Sequence, residues 1–102
     1  MKRVMVRYKV KADRVVEHEG YITGVFQQLE REKPDGLSYA CFRLDDGASY
    51  VHIATMERAD IRNPLLDLSA FKAFISEIKD RCEELPVSVE LKEVGSYGFL
   101  GK

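Results

Sequence analysis

The residues best suited to chemistry in this chain are two histidines, His18 and His52, together with Tyr8 and Cys41. Imidazole is the side chain whose ordinary pKa lies nearest neutrality, so either histidine is a candidate acid or base. His18 falls on or beside an apolar stripe of helical spacing (Val15, Ile22, Val25). There it either faces a pocket between helix and sheet or closes the core edge through a hydrogen bond to backbone. Tyr8 belongs to an alternating segment, and once buried its hydroxyl needs a partner, either a substrate oxygen or a backbone carbonyl. These two are the candidate catalytic residues. Together with Phe26 and Phe71, one from each helix stripe, they form the candidate ligand-binding set. His52 and Cys41 invite two sharper readings: a thiol activated by imidazole, or part of a metal site. Activation asks for a third, orienting group that the sequence does not place. A zinc site asks for three or four ligands, and His18 is expected on the opposite side of the sheet from His52. No metal is therefore expected, and Gly95-Ser96-Tyr97-Gly98 precedes no helix that would make it a phosphate loop; no cofactor is expected either.

The elements that must position these groups are legible from periodicity. Residues 3–11 alternate, with Val4, Val6, Tyr8 and Val10 on one side and Met5, Arg7, Lys9 and Lys11 on the other, which is the pattern of a half-buried strand. Asp13 is the expected N-cap of a long helix carrying Val15, Ile22, Phe26 and Leu29 on one face, and Pro34 stops it near Lys33. Strands follow over 37–44 and 48–57, joined at Asp46-Gly47, a dipeptide suited to a two-residue type I′ turn. Ser69 is the expected N-cap of a second helix with Phe71, Phe74, Ile75, Ile78 and Cys82 in its stripe. Pro86 is read as its stop, and Val87, Val89 and Leu91 alternate in a fourth strand before a glycine-rich tail, 95–102. The order β-α-β-β-α-β predicts one α+β domain over residues 1–102, a ferredoxin-like sandwich with an antiparallel four-stranded sheet and two helices on one face.

If Asp46 and Gly47 are the turn, Phe42 lies opposite Val51, Ala40 opposite Ile53, Arg43 opposite Tyr50, Cys41 opposite His52 and Tyr39 opposite Ala54. Two faces result. Ala40, Phe42, Leu44, Val51 and Ile53 are expected under the helices with Val4, Val6, Val10, Val87 and Leu91. The other face then carries Met5, Arg7, Lys9, Tyr39, Cys41, Arg43, Tyr50, His52, Met56, Glu90 and Lys92. Aromatics, Met, Cys, His and Arg are what buried protein interfaces favour and water-facing sheets do not. Two copies packed through this face would give a homodimer whose interface includes Arg7, Tyr39, Cys41, Arg43, Tyr50 and His52.

Composition narrows the class of function. The formal net charge is −1 over 102 residues, and the basic residues are spread along the chain, so no nucleic-acid partner is expected. An RNA-recognition domain shares the element order, but strand one offers Arg7 and Lys9 where a stacking aromatic is wanted. Two cysteines without C-x-x-C spacing suit free thiols in a reducing, cytoplasmic setting. No run approaches the ~20 apolar residues of a membrane span, and no membrane partner is expected.

The element order, with Tyr50-Val51-His52-Ile53-Ala54-Thr55-Met56-Glu57, Leu68-Ser69-Ala70-Phe71-Lys72-Ala73-Phe74 and Leu85-Pro86-Val87-Ser88-Val89, resembles the dimeric α/β barrel superfamily. More narrowly, it resembles the antibiotic-biosynthesis-monooxygenase-like group. The resemblance implies a homodimer of facing sheets, with Tyr97, Phe99 and Leu100 of the tail crossing to the partner. It also implies a small hydrophobic or aromatic molecule bound between sheet and helices, and cofactor-independent oxidation of it. The groups that such relatives tend to use are an Asn on the first strand, a Trp near the end of the third and a His on the second helix. None of them is present in this chain. The alternative is a non-catalytic ligand-binding or interaction module on the same scaffold.

Overall fold

Lys2–Val10 is β1, a central strand of the sheet, with Tyr8 and Val10 buried and Arg7 exposed between Val6 and Tyr8. The structure, a computed structural model, describes residues 1–58, 60 and 62–99. β2 (Leu37–Arg43), β3 (Ser49–Met56) and β4 (Cys82–Leu91) complete a four-stranded sheet of order β2-β3-β1-β4, every neighbouring pair antiparallel. Among the described residues three α-helices, α1 (Val15–Glu32), α2 (Ser69–Ile75) and α3 (Ile78–Arg81), complete the ferredoxin-like α+β fold. Leu100, the last of the three large residues expected to cross to a partner, lies outside the described residues. Among the described residues, no helix is long and apolar enough to cross a membrane.

The hairpin register is the expected one, from Leu37↔Met56 through Arg43↔Tyr50. The turn that sets it differs. Only Gly47 has positive φ (76°), and its N–H donates to the Leu44 carbonyl, so the loop is not type I′. Asp46 instead ties the loop down, its carboxylate accepting from the Ser49 hydroxyl and from the Ala48 and Ser49 amides. A four-residue loop over 45–48 preserves the pairing that a two-residue turn would have given.

The two faces of the hairpin are the reverse of expectation. β1 pairs with β3 at Val4↔Ala54, Val6↔His52 and Tyr8↔Tyr50. Directly opposed residues share a face. Because Val4, Val6, Tyr8 and Val10 point to the helices, so do Tyr50, His52, Ala54 and Met56, and with them Tyr39 and Cys41 of β2. Ala40, Phe42, Val51 and Ile53 occupy the open face with Met5, Arg7 and Lys9. Val87 and Leu91, opposite Arg7 and Arg3, join them there.

Two helix boundaries also move. A 3₁₀ turn, Ala12–Arg14, precedes α1, so Asp13 is not its cap. The cap of α2 comes from another element: the buried Gln28 of α1 accepts the Ala70 N–H at 2.8 Å, a role expected of Ser69. The second helix breaks at Glu77 (φ 60°), and Cys82 begins β4 opposite Val10 rather than ending a helix. Pro86 therefore lies inside a strand. It is tolerated there because β4 is an edge strand whose register slips beside it, Arg7 pairing with Val87 but Lys9 with Glu84.

Candidate functional site

Between the sheet and the second helical segment lies a cavity of about 240 Å³. Val4, Val6 and Ala54 form its floor, and Leu65, Phe71, Phe74, Ile75 and Ile78 its roof, with Pro86 and Asn63 at the rim. Asn63 is held by its role at the start of the 3₁₀ helix Pro64–Asp67, where its side chain accepts from Leu65 N at 3.0 Å. The polar groups converge on one wall: Tyr8 from β1, Tyr39 from β2 and His52 from β3. Strand pairing brings them there: His52 is two residues from Tyr50, the partner of Tyr8, and two from Ala54, the partner of Tyr39, and residues two apart share a face.

These groups belong to one hydrogen-bonded chain. The Tyr8 hydroxyl lies 2.6 Å from His18 Nε2 and 2.6 Å from His52 Nε2. His52 Nδ1 lies 2.6 Å from the Tyr39 hydroxyl. At the far end, Arg81 Nε donates to His18 Nδ1 at 3.1 Å. His18 is wholly buried and packs edge-on to Tyr8, with ring centroids 5.2 Å apart. Phe26 stacks on Tyr39 at 5.2 Å from outside the cavity, steadying that ring without lining the space.

Burial governs the ionisation of the cluster. Desolvation, reinforced by the Arg81 guanidinium, holds His18 down at about 4. Desolvation, with His18 nearby, holds His52 at about 4. The Tyr8 and Tyr39 hydroxyls are pushed well above the usual phenol range by burial. The Cys41 thiol is likewise pushed up to about 12, and at 3.4 Å from His52 Nε2 it stays a thiol. At neutral pH the wall is uncharged, and it acts through its hydrogen bonds.

A second polar group closes the other end of the sheet. The Tyr50 hydroxyl donates to Glu19 at 2.7 Å and Arg43 pairs with the same carboxylate at 2.8 Å. The Tyr50 hydroxyl first, then Arg43, keeps the Glu19 carboxyl below its ordinary value. These two residues, expected in a dimer interface, tie β2 and β3 to α1 instead.

Of the sequence candidates, His18, Tyr8 and Phe71 meet at or behind the cavity, and Phe26 stands one ring away. Tyr39, His52 and Cys41, expected at an interface between subunits, are gathered here beneath the helices. Arg7, Tyr97 and Phe99 stay on the outer surface; Tyr97 is fully exposed, and Phe99 lies 5.8 Å from the Arg3 guanidinium. Arg81 and Asn63 were not expected. The signal for Arg81 was its place at helical spacing beyond Phe71, Phe74 and Ile78, a charge on an apolar stripe.

No family model matches the chain, and no curated protein matches it in sequence. Solved structures do. An antibiotic biosynthesis monooxygenase superposes with TM-score 0.77 at 14% identity, over 93% of this chain and 100% of that one. A variant of SnoaB, a cofactor-independent oxygenase from Streptomyces nogalater, gives 0.69 at 16% identity, over 93% and 94%. Rv0793 from Mycobacterium tuberculosis gives 0.68 at 15% identity, over 93% and 96%. At such identities the likeness is one of fold, and in fold this chain is a ferredoxin-like α+β domain of the kind seen in antibiotic biosynthesis monooxygenases.

Proposed function

We propose that the chain binds a small hydrophobic, ring-containing molecule between sheet and helices and oxidises it with molecular oxygen. The cavity carries this reading. An engineered apolar cavity of about 150 Å³ takes one benzene ring, so about 240 Å³ suits one or two fused rings. Apart from Asn63 at the rim, its walls are apolar except on the side of Tyr8, Tyr39 and His52, the usual make-up of a site that orients a ligand by a few polar groups. A ring methylene beside a phenolic hydroxyl needs no cofactor: it becomes a carbonyl with one oxygen atom, the other leaves as water, and all four electrons come from the ring. Oxygen uptake in the presence of hydroxylated bicyclic compounds that carry a ring methylene, such as hydroxyindanones and hydroxytetralones, is the test. We expect uptake with such a compound, reduced at least about tenfold in Tyr8→Phe or His18→Gln. Binding without uptake, or uptake unchanged in both variants, would remove the catalytic reading.

A non-catalytic binding module is favoured by a separate observation. Both imidazoles are held near 4 with each ring nitrogen already engaged, so neither is a ready base at neutral pH.

The open sheet face supports a homodimer. Phe42, Val87 and Val89 are 45%, 61% and 42% exposed there, beside Met5, Val51, Ile53 and Leu91. A second copy laid sheet to sheet would cover them, with Arg7 at its margin and Tyr97 and Phe99 of the tail reaching across.

A further inference from the structure

The chain of hydrogen bonds behind the cavity has a direction, and Arg81 sets it. Arg81 is 1% exposed and, among the described residues, pairs with no carboxylate. Its guanidinium donates to the Phe74 and Ser76 carbonyls and lies 4.5 Å from the centre of the Tyr21 ring. The remaining Nε–H points at His18 Nδ1. A guanidinium has hydrogens to give and no lone pair to receive one. His18 Nδ1 must therefore be bare, and the proton of this neutral imidazole is on Nε2, donating to the Tyr8 hydroxyl oxygen.

Each later link follows from that one. Tyr8 has a single hydrogen, which goes to His52 Nε2. The proton of His52 is then on Nδ1, donating to the Tyr39 oxygen. The hydrogen of Tyr39 is left over. Tyr39 lines the cavity, and among the described residues its hydroxyl has no other partner. The wall thus presents a hydrogen to whatever occupies the space, and successive bonds polarised in one sense strengthen that donor.

The geometry points to a ligand that brings an acceptor, a ring carbonyl or comparable oxygen, to the Tyr39 hydroxyl, with Arg81 as the positioning residue that decides this from the far end of the chain. This inference rests on the proposed use of the cavity and names the substrate class: fused- or single-ring ketones ahead of ring compounds that only donate. A site with one hydrogen to place rejects the isostere that cannot take it, because both partners are then left unpaired.

Indane, indanone and indole share one bicyclic frame and carry no polar group, one acceptor and one donor, respectively. Their binding to the wild-type chain is measured by calorimetry, and the carbonyl band of bound indanone by infrared spectroscopy. We expect indanone to bind at least about tenfold more tightly than indole, with its carbonyl band moved to lower wavenumber. Tyr39→Phe should weaken indanone about fivefold to a hundredfold, abolish the band shift and leave indane unchanged. Arg81→Met frees His18 to take either tautomer, so the ratio of indanone to indole should collapse towards one. If that variant does not fold, the wild-type ratio and Tyr39→Phe decide alone. Indole binding as tightly as indanone, or an unchanged band in Tyr39→Phe, overturns the inference while leaving the cavity as a ring site. Failure of all three compounds to bind overturns the cavity reading and this one with it.

Discussion

His18 and His52 each use both ring nitrogens inside the protein, and each is neutral because burial makes the charged form costly. Their folded values near 4 lie below the value of about 6.5 expected in the unfolded chain. Between those limits the unfolded chain holds more protons, so stability is full above about pH 6.5 and is lost as pH falls towards 4. From pH 7 to pH 5 the loss should be on the order of 2 kcal/mol per histidine. Urea unfolding at the two pH values measures it, and His52→Asn should show a shallower fall than wild type. Equal midpoints at pH 7 and pH 5 would mean that the histidines are not held neutral by the fold. Sequence places His18 and Tyr8 at the pocket or core edge but not His52 and Tyr39 beside them: an imidazole and a phenol in those positions look like interface residues by composition. They become core residues only because their polar atoms satisfy one another.

At the scale of elements, the Asp46-Gly47 loop shows what local sequence can and cannot decide. Gly47 has φ of 76° and open space around a would-be Cβ, so Gly47→Ala tests backbone strain alone. It should lower stability by about 1–2 kcal/mol, read from the thermal or urea midpoint, with the fold unchanged. A fall well below that range would show that the loop relaxes to another turn. The register was legible because a short loop dictates which residues meet. Which face then meets the helices was not. That depends on the pairing of β1 with β3, a contact across some forty residues of chain that no turn specifies. Both faces of the hairpin are apolar enough to be core, and Tyr8 opposite Tyr50 settles the matter only in three dimensions. The break at Glu77 was hidden for a related reason, since the apolar spacing runs unbroken from Phe71 to Cys82 while the backbone turns from helix to strand.

The whole molecule leaves one side of its sheet uncovered. Exposed apolar residues stand on this side, though they are not the ones the sequence pattern puts there. They are Phe42, Val87 and Val89 instead of Tyr39, Tyr50 and His52. In a sheet-to-sheet homodimer, Phe42→Arg with Val87→Glu should halve the mass measured by light scattering while the circular dichroism spectrum is retained. A wild-type mass equal to one chain would end the dimer reading without touching the cavity, which is built within a single protomer. The outer border of β4 has a different consequence. A sheet that ends in a regular, fully hydrogen-bonding strand is a template on which stray strands can stack into fibres. Pro86 has no amide hydrogen to offer, and the slipped register beside it bends the strand, so an arriving chain finds no continuous ladder to copy. The proline that looks like a helix stop in the sequence thus guards the border of the sheet against uncontrolled growth.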